Sequence, residues 1–319
     1  MKKYLALSIL FSGLLLFQPG PSEGCIAIPT RPDNSPVEMA LPEQRAFLYR
    51  QGEIEHMILS VQYNGATEEF AWVIPTENRA RVDVQPGAPF HELWKVTTLK
   101  PELQVTRAAE GATQRTKSPG GVEVLERKIA GPYDVAVLKA SDSGGLYKWL
   151  KDNGFGLNQN TRNALDDYVK KDWYFVAARI RPDKRGASEG ALKNGTIAPL
   201  HIAYKAKELS YPLRVTAGNP GTSEIELFVL TDSPPQHAGL NSTTFRLTPS
   251  GKSGFKIDGP ANRMYTQGDF PTLRSLIPKG GTLTKYSGRM GTSQRQRDLV
   301  FDRLAVQKKH PGGWMLPGY

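Results

Sequence analysis

Cysteine is almost missing from this chain: Cys25 is its single thiol, so no intrachain disulfide can staple the fold. Stability has to come from burial, and 319 residues with 39% hydrophobic content are enough to build one large core or two ordinary ones. Histidine is scarce as well. His56, His91, His201, His237 and His310 are far apart in sequence, and no pair has the spacing of a zinc-binding helix, so no metal site is expected. No phosphate-binding glycine loop, dinucleotide fingerprint or aspartate-rich calcium loop is present, so no cofactor is expected either. Apolar runs of membrane-spanning length are also lacking. A spanning helix needs about 20 apolar residues, and the run Leu5 to Phe17 is shorter and ends in Gln18-Pro19-Gly20-Pro21.

That short run belongs to a recognisable layout. Lys2 and Lys3 give a cationic start, Leu5 to Phe17 an apolar middle, and Ser22 and Gly24 stand three and one residues before Cys25, the small-x-small pattern that signal peptidase reads. The cut is expected between Gly24 and Cys25, which makes residues 1–24 a signal peptide and the mature chain exported, periplasmic or extracellular. A lipoprotein signal would want an aliphatic residue where Ser22 stands. After signal removal no transmembrane segment is left.

Charge is unevenly placed. The chain carries a net +10, yet from Asn241 onward thirteen Lys or Arg stand against only Asp258, Asp269, Asp298 and Asp302, while Cys25 to Leu240 is neutral. On an exported protein such a segment points to anionic envelope components, or to another envelope protein, and away from nucleic acid. Scattered basic residues that solvate a surface explain the same count.

Periodicity predicts a strand-rich body. Gln44 to Arg50 and Glu55 to Tyr63 flank Gln51-Gly52, and Met57, Leu59, Val61 and Tyr63 alternate with His56, Ser60 and Gln62, as in a hairpin with one buried face. Glu69 to Ile74 reads as a central strand stopped by Pro75. Further strands are expected at Val122 to Ile129, Tyr133 to Leu138, Trp173 to Ile180, Leu200 to Tyr204, Pro212 to Thr216 and Glu224 to Leu230. A short helix is expected over Pro89 to Val96. A second runs from Leu146 to Asp152 behind Ser141-Asp142-Ser143 and ahead of Asn153-Gly154, and a third is capped by Thr161. Residues 107–121 and 182–195 read as loops. Trp72, Trp94, Trp149 and Trp173 all stand in apolar runs and are assigned to the core.

The fold class read from this pattern is α+β: a largely antiparallel β-sheet with a few helices packed on it, over residues 25–240, followed by an irregular basic extension over 241–319. One helix is expected in that extension, at Gln294 to Val306, and Lys308 to Tyr319 is expected to be disordered.

Four strings in this order, FAWVIP (Phe70 to Pro75), GPYDVAVL (Gly131 to Leu138), LYKWLKDNGF (Leu146 to Phe155) and WYFVAARI (Trp173 to Ile180), resemble the exported bacterial family catalogued as domain of unknown function 2330. The likeness spans about Cys25 to Leu240, and Gly281 to Tyr286 resembles a late strand of the family. It implies a secreted or envelope-attached protein and no assigned activity, so no site residue follows from it.

Candidate chemistry is sparse. Gly186-Ala187-Ser188-Glu189-Gly190 matches G-x-S-x-G, but a nucleophile elbow needs a sharp strand-to-helix turn, and Pro182 to Arg185 intervene. Ser253 and Lys256 have the spacing of a serine–lysine pair without helical propensity around them. Asp166 and Asp167 are adjacent, hence about 100° apart on a helix, too divergent to flank one atom. Two classes of function stay open: a non-catalytic binding or structural module of the envelope, and an exported hydrolase using Ser188 or Cys25 with one of the histidines.

Overall fold

The structure, a computed structural model, describes residues 44–62, 71–98, 122–180, 196–218, 221–259 and 264–303. Its strands are β1 (Gln44–Gln51), β2 (Ile54–Gln62), β3 (Ala71–Thr76), β4 (Arg81–Val84), β5 (Val122–Ala130), β6 (Tyr133–Ala140), β7 (Tyr174–Ile180), β8 (Thr196–Lys205), β9 (Glu208–Tyr211), β10 (Thr222–Leu230), β11 (Asn241–Ser250), β12 (Gly254–Asp258), β13 (Met264–Asp269), β14 (Gly281–Gly291) and β15 (Leu299–Arg303). Nine pair in the order β13-β12-β11-β14-β10-β1-β2-β8-β4, four as β3-β7-β6-β5, and β15 pairs with β9. The described pairings are antiparallel except for β1 beside β10, where Phe47 faces Phe228 in parallel register. The α+β reading holds.

The nine-stranded sheet is covered on both faces, and β1 shows why its sequence does not alternate. Ala46, Phe47, Leu48 and Tyr49 are all buried. Ala46 and Leu48 join Met57, Leu59, Ile202 and Leu227 in the core shared with the four-stranded sheet. Phe47 and Tyr49 point the other way and join Ile58, Phe228 and Phe245 beneath α1 (Pro89–Thr97) and α4 (Pro271–Leu276). A strand buried on both faces reads as a continuous apolar run. The β1–β2 hairpin turns at Gly52, φ 61°, as expected. It buries both faces and not one, because Ile58 is as enclosed as Met57.

Helix ends follow local chemistry. Asp142 caps α2 (Ser143–Asp152) by accepting from the Gly145 amide at 2.7 Å. The cap of α3 (Gln159–Lys170) is Asn158, which accepts from the Thr161 amide at 2.8 Å. Thr161 itself lies inside the first turn and is buried against Gly218, which corrects its assignment as the cap.

Several other expectations change. Pro75 lies within β3 and does not stop it, and β3 is an edge strand, where a residue without an N–H is tolerated. Residues 213–218 form a 3₁₀ helix in place of the expected strand. Trp94 is 42% exposed, on the outer side of α1, and Trp149 and Trp173 are only partly buried. The stretch after 240 is regular as far as it is described. Phe245, Leu247, Phe255, Ile257 and Leu283 supply much of the second core, and β14 is inserted between β10 and β11. The helix expected at 294–306 is a 3₁₀ turn, Gln294–Gln296, followed by β15, where Leu299 and Phe301 are buried at a period of two against β9. The loops expected at 107–121 and 182–195, and the terminal stretches with the signal segment and Lys308 to Tyr319, lie outside the described residues.

Candidate functional site

The catalytic candidates read from sequence are not assembled by the described fold. Ser188 and Cys25 lie outside the described residues. Asp166 accepts from the Tyr147 hydroxyl, while Asp167 pairs with Arg214, so the two carboxylates diverge as expected. Lys256 is exposed on β12, and Ser253 lies in the turn before it. Among the described residues no three metal-ligating side chains gather, and no helix is long and apolar enough to cross a membrane.

Two histidines meet that the sequence keeps 145 residues apart. His56 Nδ1 and His201 Nε2 approach to 2.9 Å across β2 and β8, and His56 stacks on Tyr49. One ring donates to the other, so the contact needs at least one neutral imidazole. Both pKa values fall to about 4, first through burial, with His201 and Arg81 adding to the fall at His56 and Arg81 adding to it at His201 against an opposing Asp83. Between pH 6.5 and 4 the unfolded chain then binds protons that the folded chain refuses, so stability is full above about 6.5 and falls as the solution is acidified. Urea unfolding across this window is expected to show a slope that His201→Gln reduces. An unchanged slope would mean that the pair does not control acid stability.

Glu55, opposite Arg50 in the β1–β2 register, is fully buried. Tyr204 Oη donates to one carboxylate oxygen at 2.8 Å, and the Ser210 amide to the other at 3.2 Å. Burial pushes its pKa up to about 8 against those bonds and the nearby Arg50 charge. The group fastens β9 to the large sheet and is enclosed, so it offers no access to a substrate.

Part of the cationic stretch is tied into the structure. Lys285 and Arg45 both pair with Glu226, each at 2.5 Å, and Arg289 pairs with Glu224 at 2.8 Å. Arg274 lies over the Phe255 ring, and Arg295 is fully buried. The exposed Arg246, Lys252, Lys256, Lys279 and Arg297 are spread over strands and turns.

One concavity combines open access with convergent polar groups. It encloses about 280 Å³ and is lined by Asn160, Asn163 and Ala164 of α3, Arg214 and Ala217 of the 3₁₀ helix, and Thr292 and Gln296 of the turn after β14. Asn160, Asn163 and Ala164 share a face of α3 by their spacing of three and four, while Leu165 and Tyr168 face the core.

Three contacts set the walls. Asn158 Nδ2 donates to Gly218 O at 2.8 Å, fixing the 3₁₀ helix against the start of α3. Arg295, behind the cavity, donates from Nη1 to Thr216 O and from Nη2 to Gly221 O at 3.0 Å, fixing the 292–296 turn to the same helix. Asp298 Oδ1 accepts from Tyr168 Oη at 2.6 Å and from the Arg214 amide at 3.0 Å, joining all three segments; burial raises its pKa against those two bonds and the charges of Lys171 and Arg214. No sequence motif marks this site, because its residues come from three segments that only the fold joins.

A family model described as "Uncharacterized protein conserved in bacteria (DUF2330)" matches residues 33–250. The curated proteins gave no match. Among solved structures, baculovirus P35 is similar at a TM-score of 0.37 with 10% identity, over 84% of this chain and 98% of that one.

Proposed function

The chain belongs to this family of uncharacterised bacterial proteins, and within it we propose a role as an exported, non-catalytic binding module of the cell envelope. Export rests on the layout of residues 1–25. The protein recovered from the periplasm or medium of expressing bacteria is expected to begin at Cys25 on N-terminal sequencing; a chain that keeps Met1 in the cytosol would overturn that half of the proposal.

Binding rests on one observation: the cavity between α3 and the 292–296 turn offers amides, a hydroxyl, a guanidinium and two methyl groups, which is equipment for holding a polar ligand. Among the described residues, the side chains lining it include no carboxylate, thiol or imidazole, the groups that general acid–base or thiol chemistry would use. Envelope polymers are the partners within reach of an exported protein, and their hydroxyl-rich repeats suit such a wall.

The test is co-sedimentation of the exported protein with purified cell-wall sacculi, beside the Asn163→Trp variant. Asn163 is exposed on α3, so the indole blocks the cavity without entering the core. The wild-type protein is expected to sediment with the wall and the variant to stay in solution. Equal behaviour of the two would remove the cavity from the function.

A further inference from the structure

We infer that the cavity selects a sugar acid, with Arg214 as the specificity-determining residue that takes the ligand's carboxylate. This deepens the binding-module reading and rests on it.

The wall divides by chemistry. Asn160, Asn163, Gln296 and Thr292 carry amide and hydroxyl groups of the kind that bind sugar hydroxyls, although Asn163 Oδ1 also accepts from Gln159, Gln296 Nε2 donates to Thr292 O and Thr292 Oγ1 to Gly221 O; Ala164 and Ala217 add methyl groups for the C–H face of a ring. Among the described residues that line it, Arg214 is the only charged one. A guanidinium carries five N–H donors. Arg214 commits Nη2 to Asp167, yet its side chain is 38% exposed and lines the cavity, so the guanidinium keeps a face open to a ligand. A ligand carboxylate at this wall would accept charge-assisted hydrogen bonds from it, which are roughly twice as strong as neutral ones.

Asp167 does not cancel this preference. Its other carboxylate oxygen lies 3.8 Å from Lys170 Nζ, so Asp167 is shared between two cations, while the Asp298 carboxyl on the other side of Arg214 is buried and has its pKa raised by burial. Asp167 also holds the guanidinium in place, and Asp298 holds the Arg214 backbone amide. The arginine is therefore braced at both ends before a ligand arrives, which limits the conformational freedom lost on binding.

Saturation-transfer difference NMR on the exported full-length protein tests this with D-glucuronate and D-glucose, which share their ring hydroxyls and differ at C6, and with inorganic phosphate. Glucuronate is expected to bind at least about tenfold more tightly than glucose, the equivalent of one added ionic contact of about 1.4 kcal/mol. Arg214→Gln is expected to bring glucuronate down to the glucose level, and Arg214→Lys to keep part of the difference; circular dichroism of each variant checks that the fold is intact. Equal binding of the two sugars by the wild type overturns the inference and leaves the binding module standing. Phosphate that competes as well as glucuronate overturns it in favour of a simple anion site. No glucuronate binding overturns it too, and the sacculus experiment then decides whether the binding-module reading falls with it.

Discussion

Replacing Arg295 by alanine is expected to lower the unfolding free energy by about 3–5 kcal/mol, a large effect for a residue close to the end of the described chain. Arg295 is the largest fully buried side chain of the molecule among the described residues. Its two terminal nitrogens reach Thr216 O and Gly221 O, with Thr292 Oγ1 at 3.5 Å. Truncation leaves the buried Thr216 O without this donor, at a cost of about 1–3 kcal/mol, removes one of the donors to Gly221 O, and opens a cavity as well. Arg295→Met fills most of the volume but donates nothing, so it is expected to fall between wild type and alanine. Arg295→Lys keeps the charge but offers a single nitrogen for two divergent acceptors. Urea denaturation of the four proteins measures the series; a loss below about 1 kcal/mol for alanine would show that the 292–296 turn does not depend on this side chain. Because the guanidinium is buried, the loss should change little with added salt. The same variants should lose ligand binding, since Thr292 and Gln296 line the cavity on either side of Arg295.

Much of the architecture was legible where local chemistry decides the outcome. Asp142 ahead of Leu146 and Asn153-Gly154 behind Leu150 bracket α2, and Pro89 starts α1. The alternation at Met57 and Leu59 announced β2. Sequence reading failed where the deciding contact is distant. β1 lies parallel to β10, 181 residues further on at the Arg45–Glu226 contact, and nothing local marks that neighbour. Leu299, Val300 and Arg303 fit a helical period as well as a strand, and pairing with β9 makes Leu299–Arg303 β15. A proline that looked like a terminator is tolerated in β3 because that strand is an edge. The basic count after Asn241 does not show which cations are matched: Lys285 and Arg289 pair with Glu226 and Glu224 across strands that the sequence separates by about 60 residues.

The candidate site was illegible for the same reason, and more completely. Asn160, Arg214 and Gln296 are ordinary surface residue types with no shared spacing. What joins them is a set of buried polar contacts, those of Asn158, Arg295 and Asp298, whose partners are backbone groups and a tyrosine hydroxyl. Backbone acceptors leave no trace in composition. The one sequence signal that bears on the site is Thr161, expected as a helix cap and found instead at a close approach between α3 and the 3₁₀ helix, against Gly218.

That approach carries the second large prediction. A Cβ on Gly218 would stand 2.1 Å from Thr161 Oγ1, 2.7 Å from Thr161 N and 3.0 Å from Thr161 Cα. The hydroxyl alone could turn aside, but the backbone atoms belong to the first turn of α3, and the Thr161 amide is the donor to the Asn158 cap. Gly218→Ala therefore forces the 3₁₀ helix away from α3 and strains the cap, with an expected loss of about 1–3 kcal/mol for overpacking and about 1 kcal/mol more if the cap is broken. Displacement of this wall also moves Arg214 and Ala217, so ligand binding should weaken beyond what the lost stability explains. Gly52→Ala is the control: its φ of 61° makes the substitution strained, yet a Cβ there meets nothing within 4 Å, and the hairpin turn is not part of the cavity. It is expected to cost about 1–2 kcal/mol and leave binding intact. Combining Gly218→Ala with Thr161→Ala removes the closest contact but not the backbone ones, so the pair should recover part of the stability and deviate from additivity. Full additivity of the two, or a Gly218→Ala protein that binds as the wild type does, would mean that the contact between α3 and residues 213–218 does not shape the site.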